Sequence, residues 1–197
     1  MTLKNRQKEI VAKLSDRELL LNFYITQLLI LLIGLILARF LFGNWFYPFS
    51  LFDWYDRKII TIGAGVAFLV VSLDLLFMKF LPKSLYDDGG INERLFSNRK
   101  GWQIILMTLL VAFGEELLFR GILQMAFGLV VASLIFAFVH YRYLFRPFLF
   151  LNVVILSFVI GIIFHLTENL AVTVSMHFFI DCTLGFIIAS KNNKKRC

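Results

Sequence analysis

The sequence predicts an all-α membrane protein, a polytopic bundle of about six transmembrane helices with a polar site in the bundle core at mid-membrane depth. Three observations carry that prediction. Of 197 residues, 59% are hydrophobic and the mean hydropathy is +0.80, which leaves too little polar surface to coat a water-soluble domain of this length. The apolar residues fall in runs near the roughly 20 residues a helix needs to cross a hydrocarbon core of about 30 Å. The basic residues gather between those runs, as they do where loops sort by charge across a bilayer.

That gathering accounts for the net charge of +7 and makes a nucleic-acid partner unnecessary. Five of the 20 Lys and Arg lie in residues 1–18 and five between Lys79 and Lys100. Arg142 and Arg146 flank an apparent turn, and four more crowd the tail KNNKKRC. Only Arg57 and Lys58 fall in the first loop. Six spans place both termini and the 79–100 loop on one side, the cytoplasm. The two cysteines, Cys182 and Cys197, make no disulfide framework. The first apolar run is long enough to remain as a span rather than be removed as a signal sequence.

Residues 1–18 read as a cytoplasmic segment, 19–100 as two transmembrane helices with a cytoplasmic loop, 101–190 as the helical core, and 191–197 as a basic cytoplasmic tail. The first span covers about 19–42 and follows LSDREL, where Ser15 and Glu18 have capping-box spacing. The second covers about 59–80. The loop from Pro82 to Lys100 is the most polar inner segment, and DDGG at 87–90 reads as a turn. The third span begins near Trp102, the fifth runs from about Pro147 to Leu166, and the sixth from about Glu168 to Ser190.

The break between the third and fourth falls either just after Arg120 or at Gly128. With the turn at Gly128, Glu115 precedes it by 13 residues and His140 follows it by 12. Both then sit about 18–20 Å from the turn, at matching depth on antiparallel helices. A turn at 121–123 puts them near opposite surfaces. Gly128 lets two costly groups meet, and is preferred.

Ionisable side chains within a bilayer cost a few kcal/mol at least and usually face a bundle interior or a wet cavity. Those within the spans are Asp74, Glu115, Glu116, Arg120, His140, His177 and Asp181. Asp74 reads as a polar contact between helices. His165 and Glu168 fall at an interfacial turn. Glu116 and Arg120 share a helix face at i, i+4, while Glu115 is rotated about 100° from Glu116. His177 and Asp181 repeat the i, i+4 spacing. Cys182, one residue on, turns to another face and reads as packing.

Three helices thus bring carboxylates, imidazoles and an arginine to one depth. A carboxylate there can act as general base toward water, with an imidazole sharing the proton. A second imidazole and a side-chain donor can stabilise an oxyanion. Two His and a carboxylate can instead hold a zinc whose bound water attacks.

EELLFR (Glu115, Glu116, Arg120), FAFVH (Phe136, His140) and HFFID (His177, Asp181) resemble, in order, the EExxxR, FxxxH and HxxxN/D motifs of the CPBP family. These are the intramembrane CAAX-type prenyl proteases and bacteriocin-processing or self-immunity proteins, also called Abi. The resemblance covers about residues 100–185. It implies an endopeptidase acting on a membrane-embedded or lipidated protein or peptide, and the compact chain and basic tail point to a bacterial plasma membrane. It implies that Glu115 and His140 activate water, that His177 and Asp181 form the oxyanion site, and that Glu116 and Arg120 organise the first carboxylate. Asp181 stands where the eukaryotic prenyl endopeptidases carry asparagine. An ionised aspartate cannot donate to an oxyanion, so it must be protonated, orient His177, or bind a metal. The resemblance leaves open a divalent metal such as zinc, with Glu115, His140, His177 and Asp181 as ligands. There is no HExxH, GxSG or YD…GxGD pattern of the other intramembrane proteases. A catalytically silent scaffold of the same fold, in bacteriocin immunity or regulation of an envelope protein, is the alternative. The absence of internal repeats speaks against a transporter.

Overall fold

A computed structural model describes residues 13–194 except 83, 84, 87, 98 and 145. Most of the N-terminal segment, Asp87 of the expected DDGG turn, and the last three residues with Cys197 lie outside the described residues. The described chain is helical throughout, with no strand. In order it forms α1 (Asp16–Phe42), a 3-10 turn (Tyr47–Leu51), a π turn (Ile59–Ala64) running into α2 (Gly65–Phe80), and the short α3 (Ile91–Phe96). Then come α4 (Gly101–Leu118), a second π turn (Phe119–Gln124), α5 (Met125–Val139), a 3-10 turn (Tyr141–Tyr143), α6 (Pro147–Thr167) and α7 (Leu170–Lys194).

Local chemistry sets the ends. Ser15 and Glu18 form the expected capping box at the start of α1, and Gly43 closes it in the left-handed conformation. Pro147 opens α6, where the missing N–H is harmless. Asn169 accepts from Ala171 N–H at the start of α7 and also grips Asp53 through its main-chain N–H and carbonyl, tying the 43–58 loop to the bundle.

Among the described residues, five helices are long and apolar enough to cross a membrane: Asp16–Phe42, Ile59–Phe80, Gly101–Val139, Pro147–Thr167 and Leu170–Lys191. Five such helices in one chain are the architecture of an integral membrane protein. The third, at 39 residues, does not run straight. Gly128 leaves the helical conformation at φ 82°, ψ 168°, which glycine tolerates. The rings of Phe119 and Phe136 lie 4.8 Å apart, whereas 17 residues of continuous helix would separate them by about 25 Å. The chain therefore folds back at Gly128, the preferred turn. About six spans are present in that sense, with one refinement. The returning limb from Leu129 to Val139 rises only about 16 Å and ends at mid-depth at His140.

α1 and α4 run parallel, since Gln27 faces Gly114 and Gly34 faces Leu117. α7 runs antiparallel to α4, with Leu170 at Gly121 and Gly185 at Ile104. The starts of α1, α4 and α6, the end of α7 and α3 thus share one face, which carries Arg17, Arg94, Arg99, Lys100, Arg146 and Lys191. The opposite face carries the 43–58 loop with exposed Trp45, Phe46, Trp54 and Tyr55, an aromatic belt of the kind that sits at a lipid–water boundary.

Candidate active site

The stretch GEELLFRG occupies the end of α4 and the π turn, and three successive residues there face three directions. Gly114 faces α1; a Cβ added to it would lie 3.6–3.7 Å from Leu31, Gln27 and Ile30, so the two helices pack closely. Glu116, two residues on, faces α7. There the Nδ1–H of His177 donates to Glu116 Oε1 at 2.9 Å. Arg120 Nε stands 3.5 Å from Glu116 Oε2, and both side chains are fully buried.

The rest of the Arg120 guanidinium is held by two other helices and by its own. One terminal nitrogen donates to the Ser157 carbonyl at 3.0 Å and hydroxyl at 3.1 Å. The other reaches Ser133 Oγ at 3.4 Å and Gln124 Oε1 at 3.5 Å. Gln124 is anchored in turn by donating to the Gly161 carbonyl at 2.8 Å, and the Phe136 ring lies 5.5 Å from the guanidinium carbon. Gly161 makes room for this clamp: a Cβ there would meet Ser133 Oγ, Gln124 Oε1 and an Arg120 nitrogen at 3.1–3.3 Å. A buried guanidinium with five donors needs acceptors from several sides, and α4, α5 and α6 supply them together.

Glu115 is held quite differently. It is 8% exposed, and its carboxylate makes no hydrogen bond to any described residue. It lies within electrostatic reach of His140, His177 and Asp181. His140 closes α5, and its Nδ1 lies 2.8 Å from the Phe136 carbonyl. A carbonyl only accepts, so Nδ1 carries a proton, and in the neutral ring Nε2 keeps a lone pair. The His140 ring stacks on Phe136 at 4.5 Å, and Phe136 meets His177 edge-on at 6.4 Å. One phenyl ring thus orients both imidazoles. His177 Nε2 stands 3.5 Å from Asp181 Oδ2, whose side chain is 31% exposed, too long for a firm hydrogen bond.

All six residues singled out in the sequence therefore converge from α4 with its π turn, the end of α5, and α7. Glu116 does more than its spacing implied, since it binds His177 as well as Arg120. Ser133, Gln124, Ser157 and Gly161 were missed, as was Gln27 on α1. Their signal was hydroxyl, amide and glycine positions inside apolar helices, which a search limited to ionisable residues passes over. Asp74 does make an interhelical contact, accepting from Asn152 of α6 at 2.6 Å. Cys182 stays outside the cluster, half-buried on α7.

A tetrahedral zinc needs three or four donors around one point. Among the described residues no group of three or more His, Cys, Asp and Glu is placed to hold a metal, and both His177 nitrogens are directed at carboxylates. The arrangement does not fit the zinc that the motif spacing left open.

Residues 97–183 match the family described as type II CAAX prenyl endopeptidase Rce1-like. The chain is also 45% identical over 160 residues to the uncharacterized protein YpbD of Bacillus subtilis (strain 168), covering 81% of this chain and 85% of that protein. No solved structure matches it.

Proposed function

Because the chain belongs to the Rce1-like family of type II CAAX prenyl endopeptidases, we propose that it is an intramembrane endopeptidase with Glu115 as its general base. The observation that carries this reading is the contrast within one dipeptide. Glu116 is fully buried and paired, while Glu115 is buried, unpaired, and set near a histidine whose Nε2 has a free lone pair. A water held between Glu115 and His140 Nε2 loses a proton to the carboxylate as it attacks the carbonyl carbon. The proton then passes to the leaving amine. His177, oriented by Glu116, presents Nε2–H toward the developing oxyanion, because its contact to Asp181 is loose. Arg120 holds Glu116 in place, and so fixes His177.

The basic face is the cytoplasmic face of a bacterial plasma membrane, by the charge rule for loops, and both termini lie on that side. Since α5 stops at mid-depth, substrate approaches from this side past His140 and the Tyr141–Tyr143 turn. The substrate is a membrane-embedded or lipidated polypeptide, for which a farnesylated peptide ending in a CAAX sequence is the first probe.

The test is cleavage of that peptide by purified protein in detergent. Glu115→Gln is expected to lower kcat by about a thousandfold, and His140→Ala by about a hundredfold, within the span of general acid–base effects. Wild-type cleavage by Glu115→Gln would remove the assignment. Rescue of a deletion phenotype by an inactive Glu115→Gln protein would point instead to the silent scaffold.

A further inference from the structure

α1 lies outside the matched residues 97–183, yet it sends one polar side chain into the bundle. Its buried residues are Leu19, Gln27, Gly34 and Ala38, and Gln27 is the only polar one. Gln27 is 7% exposed, and its Oε1 is buried with no hydrogen-bond partner among the described residues. An unpaired buried amide oxygen is a standing cost to the fold, and a leucine of nearly the same volume would remove it.

The position of this amide argues for a use. α1 and α4 start from the same face and run parallel. Gln27 stands 11 residues into α1, about 17 Å, and Glu115 stands 14 residues into α4, about 21 Å. Gln27 Oε1 lies 3.7 Å from the point where a Cβ of Gly114 would sit. The orphaned oxygen is therefore beside the main chain of the residue that precedes the proposed base, at the same depth in the membrane.

We propose that Gln27 is a substrate-binding residue, whose carboxamide pairs with a peptide group of the substrate main chain and lays that chain along α1 beside Glu115. This rests on the reading that Glu115 acts on a peptide bond. A carboxamide presents an acceptor and two donors, the same complement as a peptide group, so one substrate N–H donates to Oε1 while Nε2–H donates to the neighbouring carbonyl. A polypeptide drawn into hydrocarbon cannot leave its main-chain groups unpaired. The other side chains of the cluster are carboxylates, imidazoles and the clamped Arg120 guanidinium, given over to the reaction or to one another.

The substitution that separates this role from a structural one is Gln27→Leu. Thermal unfolding of the peptide-free variant is expected at or above the wild-type temperature, since the unpaired oxygen is gone. Its kcat/KM on the farnesylated CAAX peptide is expected to fall about 10- to 100-fold, mostly through KM. In the Glu115→Gln background, the Kd of the uncleaved peptide weakens by the same factor when Gln27→Leu is added. N-methylating the peptide one bond at a time finds a position that costs affinity with Gln27 present and none with Leu. Wild-type binding and cleavage by Gln27→Leu would overturn the inference while leaving Glu115 in place. A lowered unfolding temperature would overturn it too, because the amide would then already have its partners in the peptide-free protein. If wild-type protein cleaves nothing, the hydrolytic reading fails and the binding arm still decides Gln27; a protein that binds no peptide in that arm overturns both.

Discussion

Glu115 and Glu116 are neighbours in one helix, yet they inhabit different regions of the molecule. Around Glu116 the charges are matched: His177 donates to one oxygen, Arg120 faces the other as an ion pair at 3.5 Å without a hydrogen bond, and the guanidinium is clamped by Ser157, Ser133 and Gln124. Around Glu115 they are unmatched, with no hydrogen bond on its carboxylate among the described residues, a free Nε2 on His140, and a loose His177–Asp181 contact. A 100° step along the helix separates the two regions. The first uses its polar groups to fix geometry, and the second keeps them available. A membrane bundle has no bulk water to satisfy stray charges, so a carboxylate left there with neither a counter-charge in contact nor a hydrogen bond marks where a reactant is to be bound.

The sharpest way to break this comparison is to make the same substitution on both sides. Glu115→Gln is expected to abolish cleavage with unfolding at or above the wild-type temperature, because nothing in the fold pairs with that carboxylate. Glu116→Gln is expected to lower both, with a stability loss of about 3–5 kcal/mol from leaving the buried Arg120 without its counter-charge. Removing the pair altogether sharpens the point. Glu116→Leu combined with Arg120→Met replaces two buried charges with apolar groups of similar size, which is often neutral for stability. We expect the double variant to unfold near the wild-type temperature and still cleave nothing, since His177 has lost its anchor. If stability and activity recover together, the ion pair is only a fold element.

A smaller effect is expected at Gly161. Gly161→Ala drives a methyl to within 3.1–3.3 Å of Ser133, Gln124 and Arg120, and overpacking of this kind costs about 1–3 kcal/mol. The accompanying fall in kcat, about tenfold, reads how much the clamp matters to His177 through Arg120 and Glu116. Gly65→Ala is the control, since a Cβ there meets nothing within 4 Å. It should leave kcat unchanged, and any loss would mean that alanine at a helical glycine disturbs this bundle by itself.

Much of this architecture was legible in the residues, and the parts that were not share a physical cause. Ser15 with Glu18, Pro147 and Gly128 announce helix ends and the reversal by chemistry that acts within a few positions, so they read true. Arg142 and Arg146 likewise mark the turn that follows the return limb, although the shortness of that limb follows only from where Gly128 reverses the chain. The π turns at Ile59–Ala64 and Phe119–Gln124 have no compositional mark at all. Side-chain partners across helices were the least readable. The i, i+4 rule assigns Glu116 to Arg120 from sequence, but that the same carboxylate also meets His177 depends on how α4 and α7 pack together. Gln27 was hidden for the same reason, because nothing local distinguishes an amide facing the bundle from one facing its edge.

The smallest effect is expected where the loose region borders the reaction, at Asp181. Its carboxylate stands 3.5 Å from His177 Nε2 with a side chain 31% exposed, so Asp181→Asn should change stability by no more than about 0.5 kcal/mol. An asparagine amide donates where an ionised carboxylate does not, and an oxyanion wants donors. The variant is therefore expected to keep kcat within about threefold of wild type, in either direction, if Nε2 of His177 is the principal oxyanion donor. A fall of about a hundredfold would mean that the charge of Asp181 acts through His177, holding its ring and proton in place. Comparing the variant's pH–rate profile with wild type separates the two, because only in the second case does an ionisation disappear from the profile together with the activity. That outcome would move Asp181 from the available region to the matched one. His177 would then be a residue gripped from both ends, and Glu115 with His140 would be the only groups left free to act on water.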